Sequence, residues 1–346
     1  MTQFGLVMEP SAGYTARLAA EIEAMGFDYL LCPDTQNLAP DPYGQLSLAS
    51  ATTNTLKLGT GVTNPITRDV AVTATALMSL QQESAGRAVC VLGRGDSSAE
   101  HIGKKNASTK QLRTYAERLQ KYMRGETIVR GEGELQKDSA LRWLKGLDIP
   151  PVPIDIAATG PKTIQMAVET GDRISFAVGS APERVAWAIN TATEHLQKIG
   201  RDRDSISMGA FVNLVCDEDE QRAINIGRMI AGMVAHFAGM KNAPLDHLPP
   251  QLKDLAAHMQ KQYDMDHHAQ EEAQHATEVN DEFVEWFSIC GPAEKCRDRL
   301  QQIVGLGLDH VYLLGGSPVA HPHGERQAGM VAQSRLFAEQ VMPNFR

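Results

Sequence analysis

Residues able to handle protons or hold an anion gather in short clusters along this chain, each behind an apolar run. Met8-Glu9-Pro10, Cys32-Pro33-Asp34-Thr35-Gln36, Gly59-Thr60-Gly61-Val62-Thr63-Asn64-Pro65 and Gly93-Arg94-Gly95-Asp96-Ser97-Ser98 are the first four, and Ala157-Ala158-Thr159-Gly160-Pro161-Lys162 is the fifth. Asp34 and Asp96, with Glu9 behind them, are the carboxylates best suited to acid–base or hydrogen-bonding work. Each reads equally as a solvated loop carboxylate or a turn-forming Asx residue. The turn Thr159-Gly160-Pro161-Lys162-Thr163 suits a phosphate, because Gly160 permits close approach, the helix that follows presents free amides, and Lys162 adds charge. It is also an ordinary helix start, a Thr cap followed by Pro. Gly95-Asp96-Ser97-Ser98 carries the same two readings, a ribityl or phosphate contact or a capped turn.

Other chemistries find less support. No Gly-x-Ser-x-Gly turn is present, which argues against a serine hydrolase. Asp264 and His268 stand at i,i+4 and would share a helix face, but an acidic solvated helix accounts for them more simply than a metal site. His267 and His268 are adjacent and would point to different faces. Cys32, Cys90, Cys216, Cys290 and Cys296 are an odd set without a CxxC pair, so neither a disulfide framework nor a zinc ribbon is expected. Cys32, next to one cluster, reads as a buried strand thiol.

The elements that must position these clusters alternate along the chain. Strands are expected at Phe4–Met8, Tyr29–Cys32, Leu56–Val62, Ala88–Leu92, Ile154–Ala158, Arg173–Val178, Ser207–Cys216 and Asp309–Leu313. Helical periodicity falls at Thr15–Met25, Ala71–Ser84, Lys110–Arg124, Pro161–Glu169, Pro182–Ile199, Asp219–His236 and Pro292–Val304. Asp69 suits a cap, Pro161, Pro182 and Pro292 suit first-turn positions, and Gly26, Gly171 and Gly200 suit stops. Strands alternating with helices predict an α/β (β/α)₈ TIM barrel, with the clusters at the strand C-terminal ends where barrels keep their sites. The competing doubly wound dinucleotide fold needs a third glycine where Gly93-Arg94-Gly95-Asp96-Ser97-Ser98 has serine.

The chain has 346 residues, more than the ~250 of a typical barrel. The excess is expected in two insertions of one domain spanning 1–346, at about 125–153 after the fourth strand and 239–284 after the seventh. The second is acidic, holds His247, His258, His267, His268 and His275, and is read as a lid or pocket wall, with added surface helices as the alternative. With 33 basic and 42 acidic residues the net charge is −9, which argues against nucleic acid or an anionic membrane as partner. The N-terminus lacks a signal-peptide pattern and no apolar run nears bilayer length, so a cytoplasmic protein is expected.

Several of these segments together resemble the bacterial luciferase-like superfamily, in particular the branch of methylenetetrahydromethanopterin reductase. They are the run Gly59–Asp69 into Ala71-Val72-Thr73-Ala74-Thr75, Ser84-Ala85-Gly86-Arg87, Gly93–Asp96, Ala157–Lys162, Asp172-Arg173-Ile174 and Leu306-Gly307-Leu308-Asp309. The resemblance implies an oxidoreductase binding a reduced flavin at the strand C-terminal rim, and a non-proline cis peptide at Gly61–Val62. It places cofactor contacts on Gly61, Val62, Thr63, Gly95, Asp96, Ser97, Ala158, Thr159, Gly160 and Lys162, and puts catalytic duty on Asp34, Asp96, Glu9 and the lid residue His268. Relatives often have His after the second-strand Asp; here Thr35 stands there, and proton handling shifts to Asp96, Glu9 or Tyr263, His267 or His268. The favoured expectation is an FMN-dependent monooxygenase of a small organic substrate, supplied by a separate flavin reductase and assembled as a homodimer or larger homo-oligomer. The alternative is hydride transfer with an 8-hydroxy-5-deazaflavin coenzyme, and a further one is a non-redox barrel binding a phosphorylated ligand.

Overall fold

The computed structural model describes residues 1–238, 250, 253–254, 279–318 and 324–346. Its eight barrel strands are Gln3–Val7, Tyr29–Cys32, Lys57–Thr63, Ala88–Leu92, Ile154–Ala158, Arg173–Phe176, Ser207–Cys216 and His310–Leu314, all parallel. Ring closure is complete, since Ser207–Cys216 bonds to both Arg173–Phe176 and His310–Leu314, and the last strand returns to the first with Gln3 opposite His310. The chain is therefore a (β/α)₈ barrel, as the alternating pattern predicts. No helix among the described residues is long and apolar enough to cross a membrane.

Helices cover the outer face. Asp69 caps Val70–Glu83 by accepting from the Ala71 amide, and Pro161 and Pro182 begin their helices. Pro292 is the cap itself, one position earlier than expected, with the helix running Ala293–Val304. Four helices among the described residues were not expected: Pro42–Ser50, Asp96–Glu100, Asp281–Phe287 and Glu325–Gln340. The last follows the final strand and completes the βα repeat. Its Phe337 ring meets Phe4 edge-on at 5.5 Å, and Phe345 beyond it meets Phe4 at 5.8 Å. Phe4 is fully buried, a burial that contributes about 1.5–3 kcal/mol.

The segment expected as the first insertion holds an antiparallel hairpin, Ile128–Arg130 with Lys137–Ser139. Most of the second lies outside the described residues. After it, an extra short strand, Ser288–Gly291, pairs with the outer half of Ser207–Cys216 and stands beside the barrel.

Alternate residues point into the barrel, and they fall in two layers. The lower layer is polar. Asp155 Oδ2 accepts from Ser175 at 2.8 Å and Tyr312 at 3.0 Å, Arg173 lies 3.5 Å from it, and His310 bonds Ser175 at 2.8 Å and Ser207 at 3.0 Å. Burial would raise the Asp155 carboxyl, but His310 and Arg173 outweigh it and hold it low, while burial and Arg173 hold the His310 imidazole below its ordinary value. The upper layer, with Val7, Leu31, Val91, Ala157, Ala177, Phe211 and Leu314, is apolar.

Candidate active site

Above that apolar layer, at the strand C-terminal ends, a cavity encloses about 270 Å³. Its base is Val7, Val62, Ala157, Ala177, Phe211 and Leu314, and its rim carries Glu9, Thr35, Arg94, Asp96, Ser97, Ser98, Thr159 and Thr163. The third strand is irregular here: its register with the fourth shifts between Gly61 and Thr63, and the Gly61–Val62 peptide is cis, as the resemblance implies. Val62 thereby lies over the next strand, so that a Cβ on Gly93 would sit 2.7 Å from Val62 Cγ2. Gly95, at φ 75°, would bring a Cβ within 2.5 Å of Asn64 Cγ. Both glycines are thus required by the close approach of the Val62 and Asn64 side chains, in and just beyond the third strand.

Asp96 opens the short helix Asp96–Glu100 and accepts from Asn106 Nδ2 at 2.9 Å. Ser98 accepts from Asn64 Nδ2 at 2.9 Å, which ties this rim to the third strand. Across the cavity Thr159 and Thr163 stand at the start of the ten-residue helix Pro161–Thr170. Glu9 lies 3.6 Å from Arg326 and 3.4 Å from Gln327, both on the unexpected C-terminal helix.

Of the residues expected to bind cofactor or act on substrate, Glu9, Gly61, Val62, Gly95, Asp96, Ser97 and Thr159 line this cavity. Asp34, Thr63, Ala158, Gly160 and Lys162 do not. Strand parity explains two of them, because Pro33 and Thr35, and Ala157 and Thr159, face the axis, which turns Asp34 and Ala158 outward. Thr63 shares the parity of inward-facing Gly61 and is turned away by the register shift between them. Asp34 is buried at 2% exposure, accepts from Thr63 Oγ1 at 2.8 Å and holds Arg68 Nε at 2.8 Å. Burial opposes the Arg68 charge, yet Asp34 outweighs it and raises the guanidinium further above its ordinary value. Lys162 is exposed, so the charge expected at the Gly160 turn is absent from the cavity and Thr163 takes the inward place. His268, with Tyr263, Asp264 and His267, lies outside the described residues.

Asn106, Phe211, Arg326, Gln327 and Met330 also line the cavity and were not anticipated, while Arg94 and Thr163 line it from within the expected clusters. Phe211 was open to the parity rule, being two residues beyond inward-facing Gly209; the C-terminal helix gave no comparable signal. The Cys32 thiol is fully buried and pushed up by burial, consistent with a packed strand cysteine. Ser175, His310 and Asp155 form the only Ser/His/Asp set in the barrel among the described residues, but serine and carboxylate share one imidazole nitrogen, Nε2, so they make no nucleophilic relay. Among the described residues no group of three or more His, Cys, Asp or Glu could hold a metal ion.

A parallel barrel with a largely apolar cavity, rimmed by hydroxyls and charged groups, at its strand C-terminal face is the architecture of a barrel enzyme. The chain belongs to the luciferase-like monooxygenase family, whose model matches residues 2–310. It is 28% identical to 5,10-methylenetetrahydromethanopterin reductase of Methanolobus tindarius, over 95% of this chain and 98% of the relative. It is 26% identical to an F420-dependent glucose-6-phosphate dehydrogenase of Intrasporangium calvum, over 94% and 92%. The coenzyme F420 dependent tetrahydromethanopterin reductase of Methanopyrus kandleri shares the fold at a TM-score of 0.73 and 22% identity, over 100% and 99% of the two chains. The FMN-bound oxygenating constituent of 3,6-diketocamphane monooxygenase of Pseudomonas putida shares it at 0.65 and 14%, over 99% and 98%. The protein is an oxidoreductase of this family.

Proposed function

We propose that this protein is a reductase or dehydrogenase that moves a hydride between the deazaflavin coenzyme F420 and a small organic substrate. The observation that carries this reading is the near full-length similarity to enzymes named as reductases of methylenetetrahydromethanopterin and as F420-dependent dehydrogenases. The FMN monooxygenase expectation has less support, since the FMN-bound neighbour is similar in fold alone.

The residues present fit such a coenzyme. The base of Val62, Ala157, Ala177, Phe211 and Leu314 offers an apolar seat for a flat ring. Gly160, at the cap of helix Pro161–Thr170, leaves space in which a Cβ would meet nothing within 4 Å, beside the Thr159 and Thr163 hydroxyls. Those hydroxyls, Ser97, Arg94 and the helix amides form a donor set suited to a phosphate-bearing tail.

When bound, the coenzyme supplies a hydride donor or acceptor carbon that needs no oxygen. The apolar base keeps water from that carbon. Thr35 has no group that titrates near neutral pH, so Asp96 and Glu9 are the cavity carboxyls placed to move a proton to or from a substrate heteroatom. Asn106, donating to Asp96 Oδ1, and Gln327, donating to Glu9 Oε2, orient them.

The test is to titrate the purified protein separately with reduced F420 and reduced FMN, following fluorescence, then to assay anaerobic hydride transfer. Tight binding of the deazaflavin with oxygen-independent turnover is expected. Binding of FMN alone, with oxygen uptake on adding substrate, would overturn the reading.

A further inference from the structure

Outside the barrel mouth, a second concavity of about 500 Å³ opens between the starts of helices Val70–Glu83 and Thr109–Met123. Lys110, Thr114 and Arg118 follow one another at i, i+4 and i+8, so one helix face lines a wall with donors. Arg68 and Arg130 also line it, over an apolar floor of Pro65, Ile66 and Val70. Four cations thus meet one lining carboxylate, Asp69, on a chain whose net charge is −9.

Two of those cations are already matched. Arg68 bridges Asp34 and Asp41, and Arg130 holds Asp69. Lys110 and Arg118 are exposed and make no hydrogen bond or ion pair among the described residues. Lys110 moreover sits in the first turn of its helix, after the Ser108 cap, where the helix dipole disfavours a positive side chain. Asp69 and the Ser108–Gln111 capping box already serve the two helix starts, and Arg118 feels Asp69 without pairing to it. The positive charge left over in the hollow therefore comes chiefly from Lys110 and Arg118 and is relieved by added negative charge.

We propose that this groove binds a small, multiply charged phosphate or carboxylate anion. The inference does not depend on which flavin the barrel takes. Arg68 lines the groove with one side and holds Asp34 with the other, so an occupant would be linked through Arg68 and Asp34 to the turn whose Pro33 and Thr35 line the active-site cavity.

The probe is inorganic pyrophosphate, titrated calorimetrically at low ionic strength into the full chain and into a Lys110→Gln/Arg118→Gln variant. The wild type should bind saturably and gain thermal stability on addition. The variant, folded by circular dichroism, should bind more than about tenfold more weakly, because it loses both charged donors that face the anion. Absent binding would overturn the proposal. Equal affinity in the variant would also overturn it, placing the anion in the barrel-mouth cradle instead. Repeating the titration with the coenzyme bound separates two sources: competition assigns the groove to that ligand's own anionic end, and undiminished binding assigns it to a free anion.

Discussion

Val62 and Gly93 lie so close across adjacent strands that a methyl group on Gly93 would stand 2.7 Å from Val62 Cγ2. Both line the cavity base, so their spacing sets the height of the surface on which a flat ring would rest. Gly93→Ala should push Val62 into the cavity and weaken coenzyme affinity. It should also cost about 1–3 kcal/mol of stability, as overpacked sites do. Denaturant melts and a coenzyme titration on the same variant check both effects, and unchanged affinity would mean that the ring rests elsewhere.

Asp34 faces away from the cavity and neutralises Arg68, so its removal should be felt first in stability. Asp34→Asn is expected to destabilise by about 2–3 kcal/mol. That is below the usual cost of breaking a fully buried pair, because Arg68 retains Asp41 and is 21% exposed. A loss of turnover with unchanged melting would instead put Asp34 in direct contact with substrate.

Asp96 and Glu9 divide the proton work in this reading. Asp96→Asn and Glu9→Gln should leave coenzyme binding within a few fold, and one of them should lower kcat by the 10²–10⁴ typical of a lost general acid or base. The affected variant should also lose one limb of the pH–rate profile. If both variants keep full kcat, the proton is handled by a group in the 239–284 segment.

Gly160 and Lys162 separate the two contributions expected of their turn. Gly160 is off the cavity wall but caps the helix at whose start Thr159 and Thr163 line it. Gly160→Val should therefore disturb that turn and weaken coenzyme binding by about tenfold or more, equivalent to at least ~1.4 kcal/mol, with the fold retained. Lys162→Ala should change affinity little, because the side chain is exposed and off the cavity wall. The reverse order of effects in a binding titration would return the charge to the cradle.

His310 gives the barrel floor a signed dependence on pH. Its folded-state pKa lies below the ordinary value near 6.5, so the unfolded chain binds the extra proton and the folded one resists it. The stability from this residue is complete above that ordinary value and is lost as pH falls toward the lower folded one. Asp155, also held low, keeps its contribution until more acid conditions, because its unfolded value is near 3.9. Melting between pH 7.5 and 5.5 should show a decline that His310→Gln flattens; an equal slope in that variant would remove the residue from the account.

The barrel was legible because its strands are short apolar runs closed by Gly, Pro or Asp, and the turns after them carry the polar clusters. What escaped was orientation. Asp34 and Ala158 belong to the right turns, yet the two-residue period of a strand sends them to the outer face. Thr63 is turned away by the register shift after Gly61, which no residue pattern announces. Lys162 and Thr163 are separated by the ~100° step of a helix, so only one of them can look inward. Strand Ser288–Gly291 was hidden because helix Asp281–Phe287 ends directly against it and merges with it into one apolar stretch. Helix Glu325–Gln340 buries Gln327 alongside Met330, Val331 and Phe337, so no clean apolar stripe announces it.

The charged lower layer also governs traffic. Asp155, Ser175, His310 and Tyr312 are fully buried and bonded to one another beneath the apolar base, so the barrel has no rear exit among the described residues. A site with one doorway imposes a queue. Whatever lies deeper must arrive first and depart last, and the occupant nearer the mouth acts as its stopper. Compulsory-order kinetics would then follow from a cluster of polar side chains that touches neither ligand.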